Sequence, residues 1–309
     1  METWRGIEAT PQNWPKSVVA IGVFDGVHRG HQALIRTTVA EAERRGDSAS
    51  VVITFDPHPT AVVAPKHVPA SLATVDRRIE LIGECGADAV CVLPFTRELS
   101  QLSPEDFVKQ VLVDRLHAEA VVVGEDFRFG HKAAGDTALL ARLGAEWGFD
   151  VYPQTLEADT ESFSSSRVRR LISSGDVEGA AEVLGRPYSI SGTVVRGAGR
   201  GVDLGFPTAN IGHDTHVAVP TDGIYSGWLH VDERRLPAAV SVGTNPTFGE
   251  AERTIEAYVL DFEEDLYNQR VRLDFAHHLR GQITFDNLDE LVKQISDDVT
   301  QVRRLLEGE

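Results

Sequence analysis

The sequence predicts a two-part α/β chain: an N-terminal doubly wound parallel sheet, then a C-terminal antiparallel β-barrel with a terminal helix. Three observations carry this. Short β-branched runs alternate with helical patterns from residue 18 to about 153, strands follow one another without helices after about Pro187, and residues 286–306 repeat apolar side chains at helical spacing. The length of 309 residues also fits two domains, at about 150 residues each.

In the first half the strand candidates are residues 18–24 (VVAIGVF), 50–55 (SVVITF), 89–93 (AVCVL) and 120–124 (AVVVG). Continuous apolar runs of this kind belong to parallel strands covered on both faces. One connecting helix is signalled by Ser103 as N-cap, Pro104 at the first helical position, acidic Glu105 and Asp106, and Phe107, Val111 and Leu116 on one side. Ligands of such sheets bind beyond the carboxyl ends of the strands, which directs attention to the residues after Phe24, Phe55 and Val123.

Residues 167–185 read as helical. Beyond Pro187, YSISGTVVRG, GIYSGWLHV, PAAVSVGT, TIEAYVLDF and VRLDF read as consecutive strands. Leu288, Leu291, Val292, Ile295, Val299, Val302 and Leu306 then mark one face of a terminal helix expected to cover the barrel. The expected boundary is 1–186 and 187–309. No internal repeat or low-complexity segment is present.

Thirty basic against 47 acidic residues leave a net charge of −17. This repels phosphate backbones and anionic membranes in bulk, so neither nucleic acid nor membrane is expected as a partner. No stretch has the apolar length of a membrane span. Cys85 and Cys91 lack a metal-knuckle or disulfide pattern, and Cys91 reads as core. The first residues lack a basic segment followed by an apolar one, which points to the reducing cytoplasm. Oligomeric state does not follow from the sequence.

The segment IGVFDGVHRGH (21–31) runs from a strand through a glycine turn into a helix, with His28 and His31 on one side of the opening turn. Helix N-terminal amides favour anions, and two imidazoles there can donate hydrogen bonds to charge developing on a transferred phosphoryl group. Taken alone, the pattern is equally a strand-to-helix turn with two surface histidines. Gly22, Gly26 and Gly30 do not spell GxGxxG, and no lysine follows a glycine, so dinucleotide and Walker A motifs are excluded. TFDPHP (54–59) and VGEDFRFG (123–130) each follow a strand; singly, they also read as a proline turn and an aromatic gap-filling loop. SFSSSRVRR (162–170) offers three hydroxyls before Arg167, Arg169 and Arg170, a local cation cluster or simply a capped helix with a solvated basic face.

In the second half, Gly197, Gly199, Gly201 and Gly205 precede Thr208 and Asn210. Such loops let backbone amides approach phosphates, and a hydroxyl with an amide oxygen suits the hydrated shell of Mg²⁺; tight barrel turns explain the glycines equally well. Glu256 shares a strand face with Tyr258 and Leu260.

In this order, GxFDGVHxGH, TFDPHP, GxDFxFG and SSSRVR resemble the prokaryotic bifunctional riboflavin kinase/FAD synthetase (FMN adenylyltransferase) family. GRGxxLGFPTAN, GIYSG, VGTNPTF, IEAYVLDF and DLYN resemble its kinase module. The resemblance covers almost the whole chain and implies a nucleotidyltransferase domain followed by a riboflavin kinase barrel. It implies that His28 and His31, with Gly22, Phe24 and Asp25, bind ATP phosphates, that Ser164, Ser165 and Arg169 close over them, and that His58, Asp126 and Phe127 lie near nucleotide and flavin. It further implies that Gly197, Gly199, Gly201 and Pro207 hold the kinase nucleotide, that Thr208 and Asn210 meet MgATP, and that Glu256 is the base acting on riboflavin. ATP is then co-substrate, and FMN and FAD are products. The sequence departs from the family at Val202, Asn268 and Gln282; Asn268 tolerates a left-handed backbone.

The chemistry accounts for two unlike sites. A ribityl alcohol has a pKa near that of water, about 15.7, and gains from a carboxylate that takes its proton. The FMN phosphate is already anionic near neutrality, so attack on the α-phosphorus of ATP needs alignment and charge stabilisation instead. Two competing readings are a nucleotidyltransferase for another phosphorylated vitamin with an accessory barrel, and a flavin-sensing module without turnover.

Overall fold

The computed structural model describes residues 1–155, 163–197, 199, 201, 204–244 and 253–308; Val202 lies outside them. The chain separates into two compact units, Met1–Pro69 with Val75–Ser164 and Ala70–Thr74 with Ser165–Glu309.

The first unit is built on β1 (Glu2–Arg5), β2 (Lys16–Ile21), β3 (Ser48–Asp56), β4 (Ala89–Pro94), β5 (Ala118–Gly124) and β6 (Asp150–Gln154). All neighbours run parallel in the order β1-β4-β3-β2-β5-β6. Its helices are α1 (Arg29–Arg45), α2 (Pro59–Val63), α3 (Val75–Glu84), α4 (Pro104–Phe107) and α5 (Thr137–Trp147). Alternation along the strands divides the core. Val19, Ile21, Val51, Ile53, Val121 and Val123 join Phe107, Leu112 and Leu140 on one face, whereas Val18, Ala20, Val52 and Val122 join Leu34, Ile35, Leu81 and Ile82 on the other. Cys91 belongs to the first cluster, and burial pushes its thiol up to about 12, so it is inert packing.

Three local expectations need correction. The first strand ends at Ile21, and Gly22–Phe24 lie in a loop; the apolar run continues because Phe24 turns back into the core, only 1% exposed. Ser103 caps α4 by accepting from the Asp106 N–H at 3.0 Å, but regular α-helix stops at Phe107. A π-helical stretch from Val108 to Val113 follows and keeps Val108, Val111 and Leu112 buried. Strands β1 and β6 are additional to those read from the sequence.

The second unit begins with α6 (Ser165–Ser174) and α7 (Val177–Leu184). Six strands follow: β7 (Tyr188–Val195), β8 (Ala209–His213), β9 (Gly223–Val231), β10 (Arg234–Thr244), β11 (Arg253–Val259) and β12 (Arg270–Arg280). They close into an antiparallel barrel in the order β10-β11-β8-β7-β12-β9. Ile255, Ala257 and Val259 are buried, leaving Glu256 and Tyr258 on the opposite face of β11. Asn268 has φ 63° in the turn before β12.

The terminal helix α8 (Leu288–Leu306) is capped by Asn287, which accepts from the Glu290 N–H at 2.9 Å. Val302 and Leu306 pack with Leu260 and Ala276 on the outside of the barrel. Arg280 and the buried Asp298 tie the helix to β12, Nε to Oδ1 at 3.0 Å. Leu288, expected on the buried face, is 66% exposed because the helix meets the barrel chiefly through its C-terminal half.

Helix α7 packs against β7 and β12 and buries Val177, Ala180, Val183 and Leu184. Deleting it exposes apolar surface worth about 5 kcal/mol. A fragment of residues 165–309 therefore unfolds at higher denaturant than one of 186–309. Parallel urea titrations of the two fragments test this; equal midpoints would assign α7 no part in the unit's stability.

Candidate active site

The strand order of the first unit reverses between β2 and β5, and a doubly wound sheet opens a crevice beyond its carboxyl ends at such a reversal. The loop leaving β2 holds Gly22, Phe24 and Asp25 and ends at His28, the N-cap of α1. A Cβ on Gly22 would lie 3.1–3.3 Å from the Phe24 ring, so the glycine lets that ring fold inward. Phe24 and Val27 have φ of 52° and 40° around Gly26 at 75°, a costly conformation that persists only where its surroundings fix it. They do. Thr54 Oγ1 donates to the Val23 carbonyl at 2.8 Å, Gln32 Nε2 donates to the Val27 carbonyl at 2.9 Å, and the Gly22 N–H donates to the Ile53 carbonyl at 3.1 Å.

His28 is 2% exposed, which removes the reading of two surface histidines. Its Nδ1 accepts from the His31 N–H at 3.3 Å, so in the neutral ring Nε2 carries the hydrogen. The two imidazoles stack with centroids 3.6 Å apart, and Phe24 meets His31 edge-on at 5.1 Å. Burial, then the neighbouring His28 and Arg78, hold the His31 imidazole well below its ordinary value, so it is neutral at pH 7. Phe24, being in the core, can meet a ligand only through its backbone. Asp25 is buried as well.

His58 caps α2, its Nδ1 accepting from the Thr60 N–H at 3.1 Å. Asp126 is exposed just past β5 in a turn closed by the Phe127 N–H on the Gly124 carbonyl at 3.0 Å. Phe127 stacks on Phe129, and both pack on the core, so this loop also fills a gap beside the sheet. Ser164 ends the first unit; Ser165 and Arg169 belong to the second, where Arg169 Nε donates to the Ala70 carbonyl at 2.6 Å.

In the second unit a cavity of about 1730 Å³ is lined by Gly197, Gly199, Thr208, Asn210 and Glu256, with Arg169 and Arg170 of α6 also on its wall. Asn210 stands opposite Glu256 in the β8–β11 register, and Thr208 Oγ1 donates to Glu256 Oε2 at 3.2 Å. The structure thus brings together Thr208, Asn210 and Glu256. Gly201 and Pro207 are not on the cavity wall. Gly201 instead accepts the Leu204 and Phe206 N–H groups, shaping the turn into β8, and Pro207 is exposed.

Sequence reading missed Arg253 and Asp222, which form an ion pair on this wall with Nε 3.0 Å from Oδ1. Thr244 Oγ1 donates to the other Asp222 oxygen at 2.6 Å. Gln282, singled out only as a departure, also lines the cavity and donates to the Val242 carbonyl at 2.9 Å.

The FAD synthetase family model matches residues 10–167, and the riboflavin kinase model matches residues 184–306. The chain belongs to the bifunctional riboflavin kinase/FMN adenylyltransferase family. A relative from Pseudomonas fluorescens is 36% identical, covering 99% of this chain and 98% of its own. Relatives from Escherichia coli K12 and Bacillus subtilis are 35% and 33% identical, covering 93% and 94% of this chain and 91% and 92% of theirs. A Streptococcus pneumoniae crystal structure described as a macrolide-efflux protein superimposes with a TM-score of 0.89 at 28% identity, covering 98% of this chain and 99% of that one. Among the described residues no helix is long and apolar enough to cross a membrane.

For a member of this family, the contact between Gly197 and Asn210 is a direct handle on the second site. A Cβ on Gly197 would lie 2.2–2.5 Å from the Asn210 amide, so Gly197→Ala must displace that side chain. Misplacement of this size costs about 10²-fold in rate. FMN formation from riboflavin should fall by that factor while FAD formation from supplied FMN stays unchanged, as separate product assays would register.

Proposed function

We propose that residues 187–309 phosphorylate riboflavin with ATP to FMN, and that residues 1–186 adenylylate FMN with a second ATP to FAD, releasing pyrophosphate. The observation that carries this reading is the contrast between the sites: a carboxylate facing a hydroxyl and an amide in one, two stacked imidazoles at a helix N-terminus in the other.

In the kinase reaction Glu256 takes the proton of the terminal ribityl hydroxyl as that oxygen attacks the γ-phosphorus and ADP leaves. The Thr208 hydroxyl holds the carboxylate in place. Thr208 and Asn210 present hard, neutral oxygen donors suited to Mg²⁺. Among the described residues no group of three or more His, Cys, Asp or Glu could hold a metal, which suits a cation that arrives with ATP and keeps several waters. When bound, Mg²⁺ neutralises charge on the phosphate oxygens. Gly197 and Gly199 lie on the same wall, and Gly199 opens onto free space there that those phosphates can enter.

In adenylyl transfer an FMN phosphate oxygen attacks the α-phosphorus, and no base is needed. His28 donates from Nε2–H and helps stabilise the charge on the pentavalent phosphorus, and His31 supports it as a neutral ring. The backbone of Gly22–Asp25 is assigned to the ATP phosphates. His58, Asp126 and Phe127 are assigned to the nucleotide and flavin edge. We place both reactions in the cytoplasm.

Chromatography of products from riboflavin, ATP and Mg²⁺ tests the whole scheme, which requires FMN first and FAD after it. His28→Ala and His31→Ala should each lower FAD formation by about 10²-fold and leave FMN formation near wild type; equal loss of both products would reassign the site.

Glu256→Gln keeps size and hydrogen-bonding reach but cannot accept a proton. FMN formation should fall by roughly 10²- to 10⁴-fold with little change in MgATP binding, while FAD is still made from supplied FMN. Near-normal phosphorylation of riboflavin in this variant would leave Glu256 a solvated strand residue.

A further inference from the structure

Helix α3 turns Arg78, Leu81 and Ile82 inward, so a guanidinium occupies the face where the helical pattern calls for an apolar side chain. Arg78 is 4% exposed. A buried cation is costly unless it is bonded and balanced, and a local rule broken in this way marks a functional position. Its Nη1 donates to Thr54 Oγ1 at 3.1 Å and to the Phe55 carbonyl at 2.9 Å, at the end of β3. Thr54 in turn donates its own hydrogen to the Val23 carbonyl at 2.8 Å. A continuous chain of hydrogen bonds therefore links α3, through β3, to the left-handed loop that ends at His28.

Building on the adenylyl-transfer reading of this site, we infer that Arg78 is a positioning residue for FAD formation: it orients Thr54, which fixes the loop carrying Asp25 and His28, and it supplies the buried positive charge behind them. The charges around it agree. Asp25 and Asp56 act on Arg78 as opposite charges, and the charged or titratable groups acting on His31 are His28 from its own segment and Arg78 from α3. The guanidinium thus offsets carboxylate charge in a site that must accept the phosphates of ATP, and it discourages a second positive charge on His31.

Three variants separate geometry from charge. Arg78→Met should lower kcat for FAD formation by about 10²-fold, with KM for ATP changed only a few-fold and FMN formation untouched. Losing the cation also lets His31 protonate more readily, so the acidic limb of the kcat profile should move to higher pH. Arg78→Lys keeps the charge and should recover part of the rate with a wild-type limb. Thr54→Val removes only the hydroxyl and should lower kcat about 10-fold with the limb unmoved. Thermal unfolding of each variant gives the folded fraction used to normalise kcat. Equal normalised losses in Arg78→Met and Arg78→Lys with an unmoved limb, or a silent Thr54→Val, would overturn the inference. His28→Ala and His31→Ala that left FAD formation intact would overturn the site reading beneath it, whereas inactive histidine variants beside a silent Arg78→Met would sink Arg78 alone.

Discussion

The reversal of strand order beside β2 is the constraint on which the first unit depends. With β3 on one side and β5 on the other, the chain leaving β2 cannot be covered by either neighbouring crossover. A crevice opens there, and the helix that follows must begin within it. The positive φ angles at Phe24, Gly26 and Val27 turn the chain within the few residues between strand and helix. Hydrogen bonds from Thr54, Gln32 and Gly22 hold that turn, and the stacked imidazoles follow from it.

The barrel obeys a different constraint. Its interior is filled by apolar side chains such as Ile255, Ala257, Val240 and Leu273, so polar chemistry has to sit on the outer side of the strands. Period-two alternation puts Glu256 there, and the β8–β11 register sets Asn210 opposite it. Two glycines before β8 serve close approach, Gly197 where the space of a side chain is taken by Asn210 and Gly201 against the Phe206 carbonyl, whereas Gly199 and Gly205 turn the chain at positive φ. Two folds with different core rules thus yield two chemically unlike clusters.

Much of this was legible in the sequence, for identifiable reasons. Strands β2–β5 are buried on both faces and advertise themselves as apolar runs. The edge strand β1 buries only Trp4, and β8 is five residues emerging from a glycine loop; neither has enough pattern to be seen. The run through Phe24 misled because core side chains continue past the end of hydrogen bonding. Leu288 fits the helical period but lies beyond the reach of the barrel. Of the residues proposed for the two sites, His28, His31, Thr208, Asn210 and Glu256 announce themselves through motif and spacing. Arg78, Asp222 and Arg253 do not: Arg78 and Arg253 stand among other charged residues, Asp222 sits in a Pro-Thr-Asp-Gly turn, and each reads as solvated surface until tertiary structure buries or pairs it.

The separation of the barrel's apolar filling from the outer face that carries Glu256 has a consequence for how such a protein can change. Volume-conserving exchanges among Val240, Val259 and Leu273, which are buried and off the cavity wall, alter packing without introducing or removing any polar group on the side that carries Glu256. Drift in the core and drift in substrate preference therefore draw on nearly independent sets of positions. A lineage can accumulate thermal adaptation in one set while the other stays under chemical selection, and an engineer can work on them in the same order.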